Sequence, residues 1–192
     1  MTTIAVVRKN GYVAIAADTM TKWGSGKETA DYIVNHHKTF KVRDTVVAIT
    51  GNTTFKAILT DYFARPKATA RFDTVHNIFK TWQTMHAVLK EEYFLNASPG
   101  SDDGVESTRM DVLLANKHGI FGVVAHRTVQ EFSRFYAFGS GGDLAMGAMY
   151  AAYNDKNRDA ETIAKLAVEA AAEFDDGTGL PLTSYRIKLL RP

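Results

Sequence analysis

Three hairpins can be read from the sequence, yet their strands are apolar on both faces. Val46-Val47-Ala48-Ile49 and Val112-Leu113-Leu114-Ala115 show no alternation of apolar with polar residues. An antiparallel sheet ordinarily wets one face, and its strands then alternate. Hairpin-linked strands without alternation need cover on both sides. Two sheets packed face to face, each backed by helices, meet that need. The expected class is α+β, built as a four-layer αββα sandwich.

Turn chemistry and helical periodicity place the elements. Thr3–Val7 leads to Asn10-Gly11, the strongest two-residue hairpin signal, and Tyr12–Ala17 returns to end at Asp18. Such a turn sets Thr3 opposite Asp18 and Thr2 opposite Thr19. Asp18 then shares the face of Thr3 rather than Thr2, so a bulge or strong end twist is expected to bring it to Thr2. Thr39–Arg43 and Val46–Thr50 pair across a turn at Asp44-Thr45. Met110–Asn116 and Ile120–Ala125 pair across Lys117-His118-Gly119. Phe55, Ile58, Leu59, Tyr62 and Phe63 recur at helical spacing until Pro66. Val75, Ile78, Phe79, Trp82, Met85, His86 and Leu89 form a second apolar stripe. Leu144–Tyr150 marks a third helix after a Gly-rich turn. Ile163, Leu166, Ala167, Ala170, Ala171 and Phe174 mark a fourth, with Asp159 as its N-cap. A last strand lies near Ser184–Leu189. The polar, breaker-rich stretch Asn96–Thr108 reads as a mobile loop inside one domain spanning 1–192.

Composition excludes several classes. Among 192 residues there is no Cys, so disulfides and thiolate metal sites are ruled out. Twenty-three basic residues face 21 acidic ones, and that balance asks for neither nucleic acid nor an anionic membrane. No apolar run is long enough to span a bilayer, and the start carries no signal peptide. A cytoplasmic protein is the expectation. No His-Glu-x-x-His, P-loop or dinucleotide fingerprint is present. The His residues are scattered apart from His36-His37. Trp23 and Trp82 read as packing residues.

The start of the chain carries chemistry. Met1 precedes Thr2, and a small second residue favours removal of the initiator Met. Thr2 would then have a free α-amine with an ordinary pKa of about 7.7–8.0, close to neutral. Such an amine can take the proton from its own residue's hydroxyl, making Thr2 both nucleophile and base.

The segment Thr2–Asp18, with Thr2-Thr3-Ile4, Asn10-Gly11 and Ile15-Ala16-Ala17-Asp18, closely resembles the N-terminus of bacterial HslV proteases and proteasome β-subunits. His37-Lys38-Thr39-Phe40-Lys41-Val42 is similar to that family's Lys-centred strand. Ala48-Ile49-Thr50-Gly51 resembles its Gly-containing strand end. Phe138-Gly139-Ser140-Gly141-Gly142 resembles the Gly-Ser-Gly start of a helix. Asp175-Asp176-Gly177-Thr178-Gly179 resembles its Asp-x-x-Ser-Gly turn, with Thr for Ser. The match runs from end to end in order, and lies nearest the short proteasome homologues of β-proteobacteria. The sequence departs from HslV in extra residues within Gly24–Asn35 and in a longer Asn96–Thr108 loop. Lys22 stands where the family has a substrate-contacting Thr, with Thr21 one residue earlier.

The resemblance implies the Ntn-hydrolase fold and a threonine-type endopeptidase. It implies Thr2 as nucleophile, Lys38 beside it, Asp18 pairing with Lys38, and the Gly51 N–H facing the oxyanion. Ser140 and Asp175, supported by Thr178, would anchor the α-amine. Thr21, Lys22, His36, Phe40, Ile49 and Thr53 would contact substrate. No cofactor is implied, although the carbonyls of Ala172, Asp175 and Thr178 could hold a Na, K or Mg ion. Peptides or unfolded proteins would be the substrates, inside a homo-oligomer of two stacked rings. Seven subunits per ring are favoured over six, and an ATPase unfoldase could dock. The two helices after Thr50 would supply ring-to-ring contact, with Phe79, Trp82 and Tyr93 shared between core and interface. The alternatives are another Ntn amidohydrolase acting on a small amide, and a catalytically inactive ring-forming subunit.

Overall fold

Successive residues of the first strand, β1 (Thr3–Lys9), enter different hydrophobic layers. Ala5 and Val7 join one layer, whereas Ile4 and Val6 join another. The computed structural model describes residues 2–68, 70–97 and 104–191. Along the chain β1 is followed by β2 (Tyr12–Asp18), β3 (Thr21–Trp23), β4 (Gly26–Glu28), β5 (Thr39–Val42) and β6 (Thr45–Ile49). Then come α1 (Thr54–Ala64), α2 (Val75–Glu91), β7 (Val112–Asn116), β8 (Gly119–Val123), β9 (Val129–Phe132) and β10 (Phe135–Gly139). The helices α3 (Gly142–Ala152) and α4 (Ala160–Phe174) and the strand β11 (Leu182–Lys188) complete it.

The strands form one sheet in the order β10-β1-β2-β11 and another in the order β5-β6-β7-β8-β9. Ile4, Val6, Val13 and Ile15 of the first sheet meet Val46, Ala48, Leu113 and Ile120 of the second. Ala5, Ala14 and Ala16 face the other way, onto Ala160, Ala164, Ala167 and Ala171 of α4. Small residues on both sides let that helix lie close to the sheet. Val47, Val112, Leu114 and Phe121 of the second sheet pack under Leu59 of α1 and Ile78, Trp82 and Leu89 of α2. These three apolar layers, between four layers of backbone, are the αββα sandwich, and they account for the lack of alternation.

Local chemistry sets the helix ends. Thr74 caps α2 by accepting from the Asn77 N–H, and Asp159 caps α4 by accepting from the Thr162 N–H. The helix α1 stops at Ala64, because the residue before a proline is pushed out of the helical region, and Arg65 is extended. The second hairpin turns one residue earlier than expected. Val42 pairs with Thr45, so Arg43-Asp44 is the turn, and Arg43 takes the positive φ of 55°.

Two further corrections concern Trp23 and Trp82. Trp23 does not pack in the core; it is 55% exposed beside the turn joining β3 and β4. Trp82 is fully buried within its own chain, so no face is left to share with a neighbour, whereas Phe79 stays 45% exposed. Tyr93 bonds Arg65 and Asp61 through its hydroxyl. Much of the expected loop from Asn96 to Thr108 falls at 98–103, outside the described residues. Its base is closed by the Ser107 N–H donating to Ala97 O at 3.0 Å. Among the described residues no helix is long and apolar enough to cross a membrane.

Candidate active site

The hairpin β1–β2 keeps the expected pairing from Lys9 with Tyr12 through to Ile4 with Ala17. Thr3 and Asp18 come next, and there the ladder gives way to a side chain. The Asp18 carboxylate takes the Thr3 N–H on Oδ1 at 3.0 Å. The same oxygen accepts from Lys38 Nζ at 2.7 Å. Its Oδ2 accepts from the N–H groups of Met20 at 3.2 Å and Gly179 at 3.1 Å. Asp18 is fully buried, and every one of these neighbours is a donor. The register puts Asp18 on the Thr3 face, as expected, and the long Lys38 side chain reaches it there. Lys38 comes from the other sheet, just ahead of β5, and meets Asp18 at the end of β2.

Burial acts on both partners of this pair. It raises the Asp18 carboxyl pKa, against the pull of Lys38 and the backbone donors. It lowers the Lys38 ammonium pKa, against the nearby Asp18 and Asp175 carboxylates. Lys38 therefore releases a proton more readily than an exposed lysine.

A second network holds the other side of Thr2. Thr178 Oγ1 lies 2.6 Å from Asp175 Oδ2, and a carboxylate only accepts, so Thr178 donates there. Its hydrogen is thus spent, and Thr3 Oγ1, 2.6 Å away, must donate to Thr178. Ser140 Oγ donates to Asp175 Oδ2 at 2.7 Å and accepts from the Thr2 N–H at 3.3 Å. Burial acts to raise the Asp175 pKa, but the Thr178 and Ser140 hydroxyls outweigh it and hold the carboxyl below its ordinary range. The Ser140 loop can approach so closely because Gly139 precedes it. Gly139 has φ +104°, and a Cβ there would fall 1.9 Å from Thr2 O.

Thr2, Lys38 and Gly51 line one cleft of about 730 Å³. Gly51 sits at φ +105°, where an added Cβ would also come within 3.1 Å of Arg109 O. Among the described residues no group accepts from the Gly51 N–H. Thr21, His36, Ile49 and Thr53 line the same cleft. Phe40 and Lys22 are placed elsewhere. Phe40 packs against the layer under α1 and α2, and Lys22 pairs with Asp176. At the Asp175 turn, the Asp175 carbonyl accepts from the Thr178 N–H at 3.1 Å. Oxygen donors of this kind suit a hard cation. Among the described residues no group of three His, Asp or Glu is gathered for a metal.

Several residues here were not singled out from the sequence. Thr3 enters through its hydroxyl, and Met20 and Gly179 through backbone N–H groups, which carry no side-chain signal. Lys56 lines the cleft and donates to the carbonyls of Asn35, at 3.3 Å, and His37.

Similarity to solved structures agrees with this fold. The chain is 57% identical to Thiobacillus denitrificans BPH, over 97% of this chain and 98% of that one, with a TM-score of 0.92. The structure of that protein in complex with epoxomicin gives the same values. The eukaryotic HslV from Trypanosoma brucei covers 97% of this chain and 99% of its own at 18% identity and a TM-score of 0.65, a likeness of fold alone. No family model and no curated protein matches the chain. The fold is that of the proteasome-type Ntn hydrolases. Within that class the chain belongs to the β-proteobacterial proteasome homologues, the BPH family.

Proposed function

We propose that this chain is a threonine-type endopeptidase whose nucleophile is Thr2 after loss of Met1. The observation that carries the reading is the convergence of Thr2, Lys38 and Gly51 on one cleft, with Asp18 buried against Lys38 and the Gly51 N–H unpaired among the described residues. In this reading Thr2 Oγ bonds to a peptide carbonyl carbon while the Thr2 α-amine takes the hydroxyl proton. The Gly51 N–H donates to the oxyanion, a contribution typically worth about 3–4 kcal/mol. Lys38 supports the developing charge, and Asp18 holds Lys38 in place. The C–N bond then breaks, and the proton passes to the departing amine. Water, deprotonated by the same α-amine, hydrolyses the resulting ester. Ser140 and Asp175, with Thr178 behind them, orient the amine. A Na, K or Mg ion on the carbonyls of Ala172, Asp175 and Thr178 would brace that turn.

The assembly belongs to the same proposal. One domain per chain would build two stacked rings around a chamber, in the cytoplasm, with unfolded proteins or peptides as substrates. A chain mass of 21.2 kDa gives a particle of roughly 250–300 kDa for rings of six or seven. An ATPase unfoldase would feed it. The test is Thr2→Ala, with intact mass, sedimentation and hydrolysis of a fluorogenic peptide read together. Expected are a parent lacking Met1 and a variant that assembles normally without turnover. A parent that retains Met1, or a Thr2→Ala variant that still turns over, refutes the nucleophile.

A further inference from the structure

The charge of Lys56 is not used by the chemistry described above. Lys56 lies on the α1 face that also carries Thr53, Ala57 and Thr60, and all four line the cleft. That face follows from helical spacing, since residues three and four apart stack on one side. The Lys56 ammonium has three N–H donors. Two go to backbone carbonyls, those of Asn35 and His37. Among the described residues no carboxylate lies within ion-pair distance of it. The other acids on the cleft are placed differently. Asp61 is met by Arg65 and Tyr93, and Glu28 sits on β4 opposite Thr21. Lys56 is also half-buried, and the loss of water around it lowers its pKa. A partly desolvated cation with a donor to spare is a recognition element awaiting an anion.

We propose that Lys56 is a specificity-determining residue, which draws an acidic substrate side chain into the part of the cleft bordered by Ile49, Thr53 and Ala57. This rests on the peptidase reading. With the scissile carbonyl between Thr2 Oγ and the Gly51 N–H, the neighbouring Ile49 and Thr53 receive the side chain on the acyl side of the bond. The two carbonyl contacts fix the ammonium in place, and the third N–H meets the substrate carboxylate. Ile49, Thr53 and Ala57 supply aliphatic and hydroxyl surface there, His36 and His37 border the same cleft, and Lys56, unlike Lys38, brings a cation with no carboxylate partner among the described residues.

The test uses peptides identical except for the residue before the scissile bond, which is Glu, Gln or Lys. Hydrolysis is followed for the parent, Lys56→Gln, Lys56→Arg and Lys56→Glu. Matched peptide electrophiles, labelling Thr2 and read by mass, give the same ratio where turnover is slow. The parent should prefer Glu over Gln by about tenfold, the scale of one partly exposed charge-assisted hydrogen bond. Lys56→Gln should lose that preference, Lys56→Arg should keep it, and Lys56→Glu should turn it toward Lys. Because Glu and Gln are compared within each variant, a mere shift of the 35–37 segment moves both rates and leaves the ratio alone. Equal rates for Glu and Gln in the parent, or an unchanged ratio in Lys56→Gln, overturns the inference. Neither hydrolysis nor labelling with any peptide refutes the peptidase reading itself, and this inference with it.

Discussion

Asp18→Ala should be among the most damaging single changes in the chain. Its carboxylate is fully buried and satisfies Lys38 Nζ and the N–H groups of Thr3, Met20 and Gly179. Removing one partner of a buried pair costs about 3–5 kcal/mol, because the other charge stays behind without compensation. Three orphaned N–H groups would each add about 1–3 kcal/mol if they stayed dry. The full sum is not reached. The vacated volume admits water beside the cleft, and Lys38, already depressed by burial, sheds its proton. The expected loss is therefore about 4–5 kcal/mol. Lys38→Met should cost less, about 1–3 kcal/mol, since the carboxylate keeps its backbone donors. The double variant should be more stable than the two losses added together, with a coupling of about 1–3 kcal/mol.

Urea unfolding at fixed protomer concentration measures these quantities. The fluorescence of fully buried Trp82 reports the transition. Fixed concentration matters because assembly adds stability by mass action. An Asp18→Ala variant within 1 kcal/mol of the parent, on the scale of an ordinary surface change, would refute the reasoning. So would a strictly additive double variant, which would mean that the two side chains do not stabilise each other.

Other changes test the surrounding structure. Gly139→Ala should lower the melting temperature sharply and displace Ser140, since its Cβ would meet Thr2 O at 1.9 Å; an unchanged melt would contradict that clash. Gly147→Ala, on an exposed turn of α3 with nothing within 4 Å, should instead stabilise by about 0.5–1 kcal/mol in the same assay. Asp159→Ala should cost about 1 kcal/mol, because the α4 cap is lost. The Asp175 carboxyl is held below its unfolded value near 3.8, so its contacts favour the fold above that pH. The contribution is lost as pH falls through the lower folded value. Asp175→Asn should accordingly flatten the acid limb of the stability curve below about pH 4, and an unaltered limb would count against these contacts.

The layers were legible because burial on two faces leaves a mark in composition. Val46–Ile49 and Val112–Ala115 could not alternate, and both lie between an apolar layer and a second one. Helix ends were legible where a side chain or a ring dictates them, as Asp159 and Pro66 do. The strands β9 and β10 carry no such mark, for the opposite reason. Gln130 and Glu131 are exposed, and β10 is only partly buried, so neither carries a continuous apolar run. The short β3–β4 hairpin is also polar, and Trp23 suggested a core position that its exposed place beside the turn does not provide.

The site was legible where position along a strand decides what a side chain meets. Asn10-Gly11 fixes the pairing, and the pairing carries Asp18 to Thr3. What the pairing could not supply was the means of reaching Thr2. Parity keeps Asp18 on the Thr3 face, and a bulge or twist was the expected remedy. The ladder stays regular up to Ile4 and Ala17, and beyond it a lysine from the other sheet meets Asp18. Parity also explains Thr3, whose odd position turns its hydroxyl toward α4 and into the Asp175 network through Thr178. One strand end thus serves two networks with successive residues, Thr2 toward the cleft and Thr3 behind it. Lys56 follows a different rule. Its partners lie about twenty residues earlier, and they are carbonyl oxygens, which every residue has. No pattern of residue types can mark such a contact. The sequence places a charge on an α1 face, and only the folded chain shows that the charge meets the cleft with no carboxylate at ion-pair distance among the described residues.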